Sequence, residues 1–232
     1  MRRIEKDREP ACLADLRGTP GAAWSSVHGA QRQQMREHAF KEQHGLCAYC
    51  MSRLPGPPSA EGMKIEHFET RALSPELVFD WDNLLGVCLG DVGISDGGGH
   101  HRDRYHCDTY RGHLPREEQR IELNPAAFPP DVSSMFSYTN QGEMRAAHGL
   151  EPTMRASAEA QIERLNLNIA RHQRNRRTAI DVLRSEFQRK APRAARVKAL
   201  LELSTTPDAA GLLPPYCQAA AYYLEKKLRQ LG

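Results

Sequence analysis

The sequence predicts a helix-rich α+β protein in which a small zinc-stabilised module lies between N-terminal and C-terminal helices. Through most of the chain after residue 151, apolar residues recur at intervals of three and four, as in amphipathic helices. Two short segments, 63–68 and 84–89, have the apolar patterns of strands. Four cysteines accompany these two segments: Cys47, Cys50, Cys88 and Cys107.

The N-terminal region, residues 1–45, is predicted to be an extended arm followed by one helix. Proline and glycine residues break the first 23 positions and leave room for at most a short helix. Residues 25–44 contain few such breakers, and their narrow apolar stripe predicts a helix. Gly45 stands where a glycine often ends a helix.

The predicted module spans residues 46–125. Prolines and a glycine at 54–58 predict a loop, and the glycine-rich stretch 90–105 predicts a mobile loop. A short helix is expected from Asp108 to His113. Residues 126–232 are predicted to form a small hairpin and then helices, which prolines separate.

Charge is distributed unevenly along the chain. The formal net charge is +3, but the residues from 151 onward carry 15 Lys and Arg against 8 Asp and Glu. The first 150 residues are therefore acidic, with 17 basic against 21 acidic side chains. A basic helical region beside an acidic module suits a hydrolase that holds a polyanion. The alternative is that the arginine-rich helices are simply solvated.

We expect a cytoplasmic protein with no membrane-spanning segment. No stretch approaches the roughly 18 apolar residues that span a bilayer, and the first residues lack the apolar centre of a signal peptide. Six cysteines in an intracellular chain favour metal binding over disulfides, and four thiolates are preferred donors for one tetrahedral zinc ion. Cys12 and Cys217 stand alone and are expected to be small buried residues.

The residues between the cysteines suit phosphodiester hydrolysis, which needs an activated water and a cation on the phosphate. An imidazole such as His67 can accept a proton at neutral pH, and the carboxylates of Glu66 and Asp108 suit Mg²⁺ or Mn²⁺. On a regular strand Glu66 and His67 leave opposite faces, so a bulge or local twist is required if both serve one site. Asn83 is a short amide able to pin a loop and orient the base.

Some of these residues have alternative roles. Asp108 is also a favoured helix N-cap residue, which is compatible with metal binding. Asn83 could be a turn residue. The remaining histidines near the module are expected to face solvent or nucleic acid, although His106 or His113 could replace one thiol as a metal ligand.

These residues together resemble the HNH, or ββα-metal, nuclease module. The matching pattern is Cys47-x-x-Cys50, Glu66-His67, Asn83-Leu84, Cys88 and Cys107-Asp108-x-x-Arg111-Gly112. Residues 89–106 separate the last two cysteines, which usually lie close together in that family. The resemblance implies a small zinc-stabilised ββα core with His67 as general base and Glu66 and Asp108 as ligands of the catalytic cation. It also implies that Asn83 supports the loop that orients the base, that Cys47, Cys50, Cys88 and Cys107 hold zinc, and that the products are a 5′-phosphate and a 3′-hydroxyl.

The chain is also similar, over most of its length, to PtuB-type HNH proteins of bacterial Septu and retron anti-phage systems. The matching segments are Met1-Arg2-x-Ile4-x-Lys6, Trp24, Cys47–Cys50, Ile65–Phe68, Trp81-x-Asn83–Cys88, His106–Asp108 and Leu165–Asn168. This similarity implies a PtuA-like ABC/SMC-type ATPase as partner and foreign DNA as substrate. A retron reverse transcriptase and its msDNA are further candidate partners.

Two rival functions remain open from the sequence. One is an RNase that uses the same site, for example on tRNA; the other is a non-catalytic zinc knuckle that binds nucleic acid or protein. Candidate phosphate contacts are Arg102, Arg104, Arg111, Arg171 and Arg174. The arginines of the basic helix, which also include Arg164, Arg176 and Arg177, could instead face an acidic groove on the ATPase.

Overall fold

A computed structural model describes residues 1–91, 101–127 and 131–232 of the protein. The N-terminal helices are α1 (Ala11–Gly18) and α2 (Gly29–Glu42). The middle of the chain contains β1 (Lys64–His67), β2 (Leu84–Val87), α3 (His101–Arg104) and α4 (Cys107–Gly112). The C-terminal part contains β3 (Phe136–Tyr138), β4 (Met144–Ala146), α5 (Pro152–Arg164), α6 (Ala170–Arg189), α7 (Ala194–Thr205) and α8 (Cys217–Leu231). The protein is a helix-rich α+β fold, as the sequence predicts.

The strands form two separate antiparallel pairs. In the first pair, β1 runs against β2 from Lys64 opposite Val87 to His67 opposite Leu84, without a bulge. The outer edge of β2 is held by Gln43, which follows α2. Its side-chain amide donates to the Gly86 carbonyl at 2.6 Å and accepts from the Gly86 N–H at 2.7 Å. This contact fixes the pair against the N-terminal helix.

One hydrophobic core joins the three predicted regions. It includes Met1 from the N-terminal arm, Leu54 and Leu84 from the middle of the chain, and Leu165 from the C-terminal helices, each at most 1% exposed. Burial of this apolar surface is the main favourable term in folding. This core therefore includes residues on both sides of the predicted boundaries near 45 and 125.

Two predicted elements differ from the structure. The predicted helix over 25–44 begins later, because residues 24–26 form a 3₁₀ turn and His28 is extended before α2. The predicted mobile loop over 90–105 falls mainly on residues 92–100, which lie outside the described ranges. Its described end contains the short helix α3, where the sequence analysis expected only loop. Across the described ranges, no helix combines the length and apolar character needed to cross a bilayer.

The hairpin of β3 and β4 packs its turn onto α6. Gly142 in that turn has φ of +80°, and a Cβ built there would lie 2.0 Å from the Gln173 carbonyl oxygen. The buried guanidinium of Arg176 donates to the Gly142 carbonyl at 3.2 Å and to the Leu167 carbonyl at 2.6 Å. Glycine is required at this turn by both the backbone conformation and the close approach of α6.

We expect Gly142→Ala to lower the free energy of unfolding by at least about 3 kcal/mol, since a strained backbone is combined with a clash against a helix. Gly149→Ala is the matched control, because Gly149 has φ of +79° but no heavy atom within 4 Å of the added Cβ. Only the conformational cost of about 1 kcal/mol applies there. Equal losses for the two variants in urea denaturation would contradict the packing of the turn on α6.

Candidate metal centre and active site

Four cysteine sulfurs from distant parts of the chain meet in one cluster. The sulfurs of Cys47, Cys50, Cys88 and Cys107 all lie within 4.8 Å of one another. The Cys50 and Cys88 sulfurs are 3.8 Å apart, and those of Cys47 and Cys107 are 3.9 Å apart. Three of the thiols are buried and Cys88 is half-buried. This donor set fits a tetrahedral thiolate site such as that of zinc.

Local backbone geometry aims each sulfur inward. The first two cysteines lie on a tight turn, in which Met51 has φ of 63° and its N–H bonds the Cys47 carbonyl at 3.0 Å. Cys88 directly follows β2. Cys107 begins α4 with φ of 53°, and its N–H donates to the Leu165 carbonyl at 2.8 Å. The cluster therefore ties the turn, the strand pair and α4 to the C-terminal helices.

The pKa shifts of the cluster thiols favour the binding of a cation. Burial acts to raise the pKa of Cys50, but hydrogen bonds from the other three thiols bring that pKa well below its ordinary value. Burial and the neighbouring thiols raise the pKa of Cys107 well above its ordinary value. Metal binding replaces such protons and keeps every sulfur ionised, so a cation relieves this competition.

Two buried histidines lie against the sulfur cluster. Nδ1 of His106 is 3.3 Å from the Cys107 sulfur and 3.8 Å from the Cys88 sulfur. His172 on α6 packs edge-on against His106, with ring centroids 4.2 Å apart. The sequence predicts His106 as an alternative ligand but does not indicate His172. No sequence spacing connects a residue so far along the chain to the cysteines.

Two carboxylates converge beside the cluster. Glu66 on β1 and Asp108 in the first turn of α4 lie within hydrogen-bonding range of each other. Burial, with the neighbouring Asp108 as a further cause, raises the pKa of Glu66 well above its usual range. Burial opposes the change at Asp108, but the Glu66 hydrogen bond and the charge of Lys64 hold the pKa of Asp108 below its usual value. The pair offers the hard oxygen donors that Mg²⁺ and Mn²⁺ prefer.

Two basic side chains hold these carboxylates. Lys64, which shares a strand face with Glu66, donates to Asp108 Oδ2 at 2.5 Å and to Thr109 Oγ1 at 2.8 Å. Arg111 forms an ion pair with Glu66 and also donates to the carbonyls of His67 and Phe68, at 2.8 and 3.0 Å. Arg111 is only 3% exposed, so it organises the site and does not present its guanidinium to a nucleic acid as the sequence analysis expected.

His67 lies on the other face of β1. A bulge, one of the two ways considered for turning Glu66 and His67 toward one site, is absent, because β1 and β2 pair in continuous register. Nε2 of His67 bonds the Val78 carbonyl at 3.0 Å, and the ring packs edge-on against Trp24 with centroids 4.4 Å apart. Burial lowers the pKa of His67 to about 4, so the imidazole is neutral at pH 7.

Asn83 fixes the connection between β1 and β2. Its Oδ1 accepts from the Glu69 N–H at 2.7 Å, and its Nδ2 donates to the carbonyls of Glu69 and Leu77 at 3.1 and 3.2 Å. All of the amide's polar atoms are thus used inside the protein, and the side chain is 4% exposed. The segment it pins leads directly to Val78, the hydrogen-bond partner of His67.

The other arginines considered for nucleic-acid binding have different environments. Arg171 and Arg174 are exposed on α6. Arg102 pairs with Glu163 at 3.8 Å, and Arg104 pairs with Asp91 at 2.8 Å. Within the basic helix, Arg176 is buried among backbone carbonyls and cannot contact a partner's surface. The exposed pair on α6 therefore remains the clearest candidate for phosphate contacts.

Comparison with known proteins gives one informative relative. The chain is 29% identical to an Escherichia coli protein named "Retron Ec83 putative HNH endonuclease", over 60% of this chain and 58% of the relative. The chain thus spans little more than half the length of that curated relative. A search against models of protein families finds no match.

We expect Cys50→Ala to lose the bound metal and to lower the yield of folded protein. Zinc binding supplies roughly 10–16 kcal/mol in small zinc domains, and part of this becomes folding free energy. Metal analysis by mass spectrometry and thermal unfolding would measure both effects. Cys12→Ala is the control, because Cys12 is buried on α1 outside the cluster. A stable Cys50→Ala protein with a full equivalent of zinc would refute the assignment.

Proposed function

We propose that this protein is a metal-dependent HNH endonuclease of the PtuB type, which cuts foreign DNA in a bacterial anti-phage defence system. The observation that carries the proposal is the position of the Glu66–Asp108 carboxylate pair beside a four-thiol cluster, with His67 at the end of the same strand. Similarity to an HNH endonuclease named for a retron supports both the chemistry and the defence setting. In this proposal β1, β2 and α4 form the ββα-metal core within residues 46–125.

His67 is the general base in the proposed reaction. A carbonyl oxygen can only accept a hydrogen bond, so the contact with Val78 places the proton of the neutral ring on Nε2. Nδ1 then carries the lone pair that takes a proton from water. The low pKa of about 4 keeps this lone pair free at neutral pH, and contact with Trp24 fixes the ring plane.

Glu66 and Asp108 are the proposed ligands of Mg²⁺ or Mn²⁺. When bound, the cation supplies Lewis-acid stabilisation of the phosphate and of the leaving 3′-oxygen. Cation binding favours the ionised form of both carboxylates, so the occupied site holds two negative charges. Arg111, paired with Glu66, balances part of that charge, whereas the cation replaces Lys64 at Asp108. His67 ends β1, and in this proposal the phosphate binds across that strand end, with the base on one face of the strand and the carboxylates on the other.

Asn83 has a positioning role in this mechanism. It orders the segment that carries the Val78 carbonyl, and that carbonyl sets the tautomer of His67. The zinc proposed for Cys47, Cys50, Cys88 and Cys107 also has a positioning role, for Asp108 on the opposite face of β1 from His67. It fixes the start of α4, where Asp108 directly follows a metal-bound sulfur.

The proposed partners follow from the same resemblance to PtuB-type HNH proteins. A PtuA-like ABC/SMC-type ATPase would gate the nuclease, and a retron reverse transcriptase with its msDNA would belong to the same complex. The exposed arginines of α6, Arg171 and Arg174, would contact either DNA phosphates or an acidic surface of the ATPase. The relative's retron name supports this setting.

His67→Ala tests the nuclease proposal. Loss of a general base should slow cleavage by about 10² to 10⁴-fold while the metal content is unchanged, since His67 lies outside the thiol cluster. The protein should be purified with its ATPase partner and assayed with Mg²⁺ on matched DNA and RNA substrates, with and without ATP. The control is His148→Ala, on an exposed side chain. Undiminished cleavage by His67→Ala, or cleavage of RNA alone, would contradict the proposal as stated.

Lys64→Met tests the cation site. The Lys64 ammonium occupies Asp108, so a divalent cation must compete with it for that carboxylate. The Lys64–Asp108 ion pair is partly exposed. Removing this ion pair should tighten Mn²⁺ binding by about fivefold, equivalent to roughly 1 kcal/mol. Electron paramagnetic resonance of free Mn²⁺ would measure the affinity. Lys226→Met, on an exposed side chain of α8, is the control; equal affinities in both variants would place the cation elsewhere.

A further inference from the structure

The sulfur cluster has more donors than one tetrahedral ion can use. Besides the four-cysteine set, a second set of four donors lies within 4.8 Å of one another, and all four residues are buried. It consists of Cys50, Cys107, His106 and His172. The two sets share the sulfurs of Cys50 and Cys107. Two thiolates with two imidazoles are a common ligand set for zinc.

His172 has the features of a ligand. It is 1% exposed, and its Nδ1 is 3.2 Å from the Tyr216 hydroxyl oxygen. Asn175 also donates to that oxygen, at 3.0 Å. A phenol oxygen has two lone pairs and can accept from both groups at once. A His172 ring that carries its proton on Nδ1 fits this arrangement and has its Nε2 lone pair available for a metal ion.

Within the described ranges, Nε2 of His172 is buried and has no hydrogen-bond partner. A buried polar atom without a partner costs about 1–3 kcal/mol, so its retention needs a compensating interaction. Nδ1 is directed to Tyr216, which leaves Nε2 as the ring atom for the cluster. A metal ion held by the shared sulfurs would supply the missing partner.

We propose that Cys50, Cys107, His106 and His172 form a second metal position, of Cys₂His₂ composition, that overlaps the four-cysteine position. The ion moves to this position when the thiolates of Cys47 and Cys88 are not available. Cys88 is the half-buried member of the four-cysteine set, so it is the thiol most open to solvent. The second position also makes α6 a direct contributor to the metal centre. This inference does not depend on nuclease activity.

The test is a Cys47→Ser/Cys88→Ser variant loaded with Co²⁺, whose visible and near-ultraviolet spectrum reports its ligands. The variant is expected to bind one equivalent with about half the sulfur-to-metal charge-transfer intensity of the unaltered protein, because two Co–S bonds replace four. X-ray absorption should show two sulfur and two nitrogen neighbours. Adding His172→Ala should weaken binding by at least about tenfold. A Cys12→Ser/Cys217→Ser variant, which alters only cysteines outside the cluster, should keep the all-sulfur spectrum.

Cys88→Ser alone is a milder second variant. Its cobalt shell is expected to include nitrogen, and a shell of sulfur and water oxygen would overturn the proposal. Failure of the double variant to fold or to hold an ion would also overturn it, since the two imidazoles would then not sustain the centre. So would Co²⁺ binding by the double variant that is insensitive to His172→Ala.

Discussion

The meeting of four sulfurs is the constraint on which the rest of the structure depends. The sulfurs come from the 47–50 turn, from the end of β2 and from the start of α4, and they approach to within 4.8 Å. Bringing such distant segments together costs chain entropy that short strands cannot offset alone. At the proposed zinc site, metal–sulfur bonds would supply this free energy and would set the angle at which α4 meets β1. Because Asp108 follows Cys107 directly, that angle brings Asp108 beside Glu66.

The two faces of β1 carry two halves of the candidate site, and different residues hold each half in place. On one face, Glu66 is held by Arg111 of helix α4, which begins at the sulfur cluster. On the other, His67 is held by Val78 and Trp24, and the Val78 segment is ordered by Asn83. Arg111 also bonds the His67 carbonyl and so connects the halves through the backbone. A change on one face can therefore alter the alignment of groups on the other.

The sequence predicted the local parts of this arrangement better than the long-range ones. Cysteine spacing, strand patterns and the hairpin turn are local signals, and the corresponding elements are present. The buried state of Arg111 was missed, since a charged residue in a short helix is normally expected to face solvent. His172 was missed because only the packing of α6 brings it to the cluster. The bulge considered as one way to bring Glu66 and His67 to one site is absent, because β1 and β2 pair in continuous register. The roles of these residues in catalysis remain predictions.

Adjacent residues in α4 belong to donor sets of opposite character, so one short helix could contribute to both of the proposed metal sites. Cys107 is fully buried and faces soft sulfur and imidazole donors, whereas the side chain of Asp108 is 22% exposed and faces hard carboxylate oxygen. Zinc favours the first environment, and Mg²⁺, which retains several waters, favours the second. Exposure adds to this sorting, because a hydrated cation and a phosphate can reach Asp108 but not Cys107. Helix α4 thus holds Asp108 in a fixed position relative to the buried sulfur cluster, while the sulfur donors and the carboxylate donors remain separate sets.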